Sequence, residues 1–279
     1  MALFAVSVLI VPGGSLSAQG STPTGQETQA APTPGCAGFP TQAQVRNALR
    51  ASISLLNGGL GNDMWATLVN RDGVVCRVVF SGVDRGTQWP GSRIISAQKA
   101  YTANAFSLPP GAGGLFPGLS LSSANLYFPV LQGGSLFGLQ FSNPVDPRAY
   151  NGDATLWGQP NDPLVGRRVG GVNVFGGGLA LYNPTTIVGG IGVSGDTSCA
   201  DHIVSWKTRD ALGLDQVPNG LVPPLAGGDN IIHDILPASF NQARPADVPI
   251  ASASGFGHPQ CDAVSTAVAA LLPVTDPLG

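Results

Sequence analysis

The sequence predicts an α+β fold, a mainly antiparallel sheet flanked by helices. Three observations carry that reading. Residues 65–69 and 74–80 are β-branched and aromatic runs joined by Asn70-Arg71-Asp72-Gly73, which is strong hairpin chemistry. Residues 179–182 and 187–193 are short apolar runs on either side of Asn183-Pro184, a second turn signal. Helical spacing of apolar residues appears before, between and after these pairs. Hairpins with flanking helices favour antiparallel pairing over a βαβ arrangement.

Taken in order, residues 1–18 read as a secretory signal. An apolar core at 3–11 precedes the small residues Ser15, Ser17 and Ala18, but no basic start is present, as in a truncated leader. The apolar run is too short for a membrane span. Residues 19–39 are rich in Ser, Thr, Gln, Pro and Gly and form a flexible linker with little to bury. The domain itself is expected over 40–214. Thr41 and Gln44 make a capping box. Val45, Leu49, Ile53 and Leu56 then line one helical face, closed by Gly58-Gly59. Arg46 and Arg50 lie off that face and read as solvated. A second helix is expected from Ser92 to about Phe106, with Ile94, Ala97, Tyr101 and Ala105 on one stripe. Lys99 lies off the stripe and reads, by position, as a solvated charge.

Residues 111–166 form a long loop-rich insertion broken by prolines, with apolar pieces at 126–131 and 136–141. A short strand at 172–175 leads to the second hairpin. The glycine turn Gly192 to Asp196 then opens a third helix, capped by Thr197 or Ser198. Residues 215–279 are a Pro/Gly-rich C-terminal extension, with a strand expected at 231–235 and a last helix at 263–272.

Composition narrows the function classes. The net charge is −3 and charged residues are 10% of the chain, so the basic face of a nucleic-acid binder is missing. Four cysteines in an exported chain point to disulfides, and their spacing is unlike a zinc knuckle. Three connectivities are possible. Cys36 with Cys76 and Cys199 with Cys261 is favoured, because each would tie an extension to a regular element.

Several motifs point elsewhere and fall short. Gly190-Ile191-Gly192-Val193-Ser194-Gly195 matches GxGxxG between a strand and a helix, but no second parallel strand ending in an acid follows. The glycines are then explained by a tight turn. Ser194, Asp201 and His202 lack the G-x-S-x-G elbow of a hydrolase. His202, His233 and His258 are too dispersed in sequence to show metal spacing. Haem needs only one or two axial ligands, so dispersion does not count against it. Trp65, Trp89 and Trp206 read as core or interface residues.

Three segments carry a resemblance to a known family. They are VNRDGVVCRVVFSG at 69–82, SAQKAYTANAF at 96–106, and GGVNVF followed by GGIGVSG and Ala200-Asp201 within 170–201. Together they resemble the GlcG/HbpS haem-binding family, which is similar to the C-terminal domain of the PduO corrinoid enzymes. The resemblance implies a sheet of about five strands between helices, assembly into homo-oligomers, and haem or a related tetrapyrrole as ligand. Asn173 stands where the family often has Pro, and Ala200 where Gln or Glu often precedes the Asp. The matched pattern residues include Lys99, Thr102, Gly192, Ser194, Gly195 and Asp201. The ligand site is expected near Lys99 and Thr102, three apart on one helix, and Asp201 and His202 at the start of the next, the alternative for His202 being local capping or packing. His202 is the expected ligand of haem iron, as the only histidine inside the matched domain. Lys99 would then face a propionate as a point charge.

The expected function is therefore a secreted or periplasmic haem-binding protein for sequestration, sensing or degradation. The alternatives are an exported enzyme acting on another small molecule and a structural oligomeric module without ligand.

Overall fold

A computed structural model describes residue 33 and residues 35–114, 117–221, 228–236 and 250–275. The expected signal at 1–18, most of the linker at 19–39 and parts of the C-terminal extension lie outside the described residues.

The first hairpin forms where its turn chemistry places it. β1 (Trp65–Asn70) pairs antiparallel with β2 (Val75–Phe80), Trp65 opposite Phe80. Asn70 Oδ1 accepts the Asp72 and Val74 N–H groups at 3.0 and 2.9 Å, and Gly73 takes φ +74°. β3 (Gly178–Tyr182) and β4 (Ile187–Ser194) make the second hairpin, and Asn183 Oδ1 accepts the Thr185 and Thr186 N–H groups in its turn. The sheet order is β2-β1-β4-β3, every neighbour antiparallel.

Helices cover both faces of this sheet. α1 (Gln42–Ile53) starts at the Thr41 capping box, and α4 (Ser198–Ala211) is capped by Thr197. Both lie against one face, where Val45 and Leu49 meet Leu68, Ile191, Val193 and Val204. α2 (Ser92–Ala105) lies on the other, with Ile94, Ala97 and Ala100 against Trp65, Val69 and Val78. Period-2 alternation sends Ile191 and Val193 to the α1/α4 face and Gly190 and Gly192 to the α2 face. A strand buried on both faces reads as a continuous apolar run, as β1 and β4 do.

α2 sits directly on the backbone of β4. A Cβ at Gly192 would lie 1.9 Å from the Ser96 carbonyl oxygen, and one at Gly190 would lie 2.3 Å from that of Ala100. The GxG pattern therefore serves helix–strand approach in an antiparallel sheet, not a pyrophosphate.

The insertion and extension dock on this frame. The insertion forms short 3₁₀ turns and one brief helix, α3 (Leu139–Ser142). Its Asp162 forms a buried ion pair with Arg93 of α2 and also takes the Gly158 and Leu164 N–H groups at 2.7 and 2.8 Å. The extension adds a two-stranded ribbon, β5 (Ile235–Leu236) with β6 (Ala251–Ser252), and α5 (Ala263–Ala269) against α4. Asp229 is buried in a two-point pair with Arg209 at 2.8 and 2.9 Å. The disulfides are Cys36–Cys76 and Cys199–Cys261, the favoured connectivity.

Several expectations are corrected. Residues 172–175 pair with no strand. Gly170 and Gly171 take positive φ just before them, and the Asn173 N–H is held by Thr102 Oγ1. The sheet consequently has four strands, one fewer than the resemblance implies. The strand expected at 231–235 pairs only from Ile235. α1 ends at Ile53, short of the exposed Leu56, as Ser54 caps the helix and the Asn57 amide takes the Ile53 carbonyl. Trp89 is exposed. Arg46 and Arg50 are not simply solvated, since they donate to the Gly158 and Ser81 carbonyls at 2.7 and 2.6 Å.

Candidate functional site at the junction of two helices

Lys99 and Asp201 meet where the middle of α2 faces the first turn of α4, with Thr102 one turn along α2, whereas the His202 ring turns to other partners. Lys99 is buried rather than solvated. Its Nζ donates to Asp201 Oδ2 at 2.7 Å and to the Val193 carbonyl at 3.1 Å. Helical spacing put Lys99 off the apolar stripe, but α2 is covered on more than that stripe. The other Asp201 oxygen accepts the Asp196 N–H at 2.9 Å. Burial pushes the Asp201 carboxyl up to about 6, while the Lys99 ammonium beside it pulls it down. Asp201 also occupies the first turn of α4, where the helix dipole favours negative charge.

Three hydroxyls hold the loop between residues 170 and 178 over this pair. Thr102 Oγ1 donates to the Gln98 carbonyl and accepts the Asn173 N–H at 3.0 Å. Ser123 Oγ accepts the Gly178 N–H at 2.8 Å and donates to the Phe175 carbonyl. Ser198 Oγ accepts the Gly176 N–H at 2.7 Å. Gly177 is required here, since its Cβ would meet the Val193 carbonyl at 2.3 Å, with φ +114°. Phe175 of this loop is exposed.

His202 points away from the loop, toward the extension. Its Nε2 lies 3.1 Å from the Ile231 N–H, which it shares with Asn230 Oδ1. Accepting that bond places the ring proton on Nδ1, which has no hydrogen-bond partner. The ring is fully buried beside Trp206. Burial pushes its pKa down to about 3, so the imidazole is neutral.

A second histidine, missed as a functional residue in the sequence, is also buried. Burial lowers the His258 pKa to about 4. Both histidines titrate near 6.5 when unfolded. Below that pH the unfolded chain binds more protons than the native one, so stability is complete above 6.5 and falls as the pH falls toward about 4. The expected loss is on the order of 1 kcal/mol per pH unit for each histidine. Urea midpoints taken at stepped pH check this. A midpoint unchanged between about pH 7 and about pH 5 contradicts the linkage.

A cleft lies elsewhere. It has a volume of about 550 Å³ and is lined by Asp146, Arg148, Gly166, Arg167 and Arg168. None of the four junction residues reaches it. Arg168 donates to the Asp72 carbonyl of the first hairpin turn, and Arg148 pairs with Asp146 at the surface. No described helix is long and apolar enough to cross a membrane.

The four-stranded antiparallel sheet between helices, with a buried Lys–Asp pair locking α2 to α4, defines one class of α+β domain. Residues 41–209 match the family described as haem degrading protein HbpS-like, and the chain belongs to that family. No curated protein matches it. Solved structures similar to it include protein ORFY of Klebsiella pneumoniae, at 19% identity over 62% of this chain and 90% of that one, TM-score 0.39. The complex of PduOC with heme matches at 20% identity over 61% and 89%, TM-score 0.40. A double mutant of HbpS from Streptomyces reticuli matches at 16% identity over 72% and 99%, TM-score 0.37.

Proposed function

We propose that this chain is a haem-binding protein acting in an oxidising compartment, in sequestration, sensing or degradation of haem. The observation that carries the proposal is the family match over residues 41–209. The two disulfides support export.

The junction residues fit haem in part. A neutral, buried imidazole is the protonation state an iron ligand needs, and His202 has it. Its Nε2 is enclosed by Asn230 and Ile231, however, so ligation through that atom requires this segment of the extension to move away. Lys99 is buried in its pair with Asp201, so a propionate would reach it only if the loop over the pair opened. The arginine cleft offers a second place for the carboxylates. Its volume falls within the range of small-molecule pockets, and guanidinium groups suit paired carboxylates.

Haemin titration of the full chain tests the proposal. A saturable shift of the Soret band is expected, and its absence argues for a module without this ligand. Breakdown of the band under reductant, with biliverdin-like absorption, would identify degradation. Two variants then locate the site. A lost or displaced Soret band in His202→Ala puts the iron at α4. Weaker binding with an unchanged band in Arg167→Ala/Arg168→Ala puts the propionates in the cleft. Thr102→Ala reports on the loop that Thr102 holds.

A further inference from the structure

Two of the three histidines, dispersed in sequence, come together in space. His233 and His258, both from the extension, lie beside Cys199 at the start of α4. Their ligating atoms are all within 4.8 Å of one another. Cys261 is joined to Cys199, so a second sulfur sits 2.02 Å from the first. We infer that Cys199, Cys261, His233 and His258 form a thiolate–imidazole site for a borderline-soft divalent cation such as Zn²⁺, masked while the Cys199–Cys261 disulfide is closed. The inference does not depend on haem binding. His233, His258 and Cys261 fall outside residues 41–209, so the site is a property of this chain's extension.

Three observations support it. His233 brings a largely buried imidazole whose ring nitrogens meet the His258 and Pro259 backbone and no side-chain partner. His258 is already set as a ligand. Its Nδ1–H donates to the Pro259 carbonyl at 2.7 Å, leaving the Nε2 lone pair to accept from Ser198 Oγ at 2.8 Å. This is the outer contact that fixes ligating imidazoles in metal sites. Finally, the Cys199 N–H in the first turn of α4 points at Cys261 Sγ from 3.2 Å. A backbone N–H aimed at sulfur is an outer hydrogen bond of the kind that orients metal ligands.

The chemistry balances as follows. A dithiol reductant supplies two electrons and two protons, the Cys199–Cys261 bond breaks, and the reductant leaves as a disulfide. The cation then displaces the two thiol protons to solvent and takes two thiolates and two neutral imidazoles. Two sulfurs on a tetrahedral zinc with bonds of about 2.3 Å stand about 3.7 Å apart. An S₂N₂ set with this geometry selects Zn²⁺ over hard cations.

Co²⁺ is the probe, added to the full chain before and after reduction with a phosphine that is then removed. The reduced protein is expected to bind one Co²⁺, with tetrahedral ligand-field bands and thiolate charge transfer, displaced by Zn²⁺. The oxidised protein should show neither band. In the reduced state His233→Ala should weaken binding by at least about tenfold, and Cys199→Ser/Cys261→Ser should abolish the charge-transfer band. Circular dichroism checks that His233→Ala keeps the fold. The inference fails if reduction creates no sulfur band, if the oxidised chain binds equally, or if His233→Ala binds like the parent, which would mean loose thiols rather than a site. A band surviving in Cys199→Ser/Cys261→Ser would place the metal on Cys36 and Cys76 and overturn it too.

Discussion

Gly192→Ala is expected to destabilise the domain by at least about 3 kcal/mol, more than a single added methyl usually costs. The new Cβ would sit 1.9 Å from the Ser96 oxygen and 2.5 Å from the Ala100 nitrogen. Both are backbone atoms of α2, so no side-chain rotation relieves the overlap. The helix must lift from β4 and loosen the packing of Ala97 and Ala100. Gly91→Ala is the control. It lies at the start of the same helix, and its nearest neighbour would be a methyl of Ile95 at 3.8 Å. Its cost should stay under about 1 kcal/mol, the loss of a glycine at a helix N-cap. Urea unfolding of the three proteins decides it, and equal midpoints for Gly192→Ala and the parent would sink the close-packing account.

Asp201→Ala is expected to cost about 3–5 kcal/mol, because it leaves the Lys99 ammonium buried with only the Val193 carbonyl as partner. Adding Lys99→Met should recover most of that loss, since replacing both members of a buried pair with apolar groups is often close to neutral. The same two variants bear on function. If the pair only locks α2 to α4, the double variant regains stability and haemin affinity together. If it regains stability while haemin affinity stays low, Lys99 or Asp201 touches the ligand directly. A single variant as stable as the parent would refute the buried-pair argument outright.

Much of this fold was legible along the chain. Asn70 to Gly73 announces its hairpin because the turn bonds are made within five residues, and Thr41 with Gln44 announces a helix start for the same reason. The disulfide pairing was reachable because each cysteine adjoins a recognisable element. Lys99, Thr102 and Asp201 were visible as a pattern, but spacing assigned Lys99 to solvent. A periodicity argument counts one buried face, and α2 is buried on more than one. Residues 172–175 have the composition of a strand, yet the two positive-φ glycines before them and the Thr102 hydroxyl take them out of the sheet.

The sequence by itself determined the class of fold, its hairpins and caps, and the family, because these are set by local backbone chemistry and by residues close in number. Only the tertiary structure decided which polar groups are buried against which. His202 faces the extension rather than the loop held by Thr102. His233, His258, Cys199 and Cys261 converge although up to 62 residues separate the bonded cysteines. Such contacts depend on how distant segments dock, and no spacing along the chain encodes the burial that makes a histidine neutral or a lysine an internal cation.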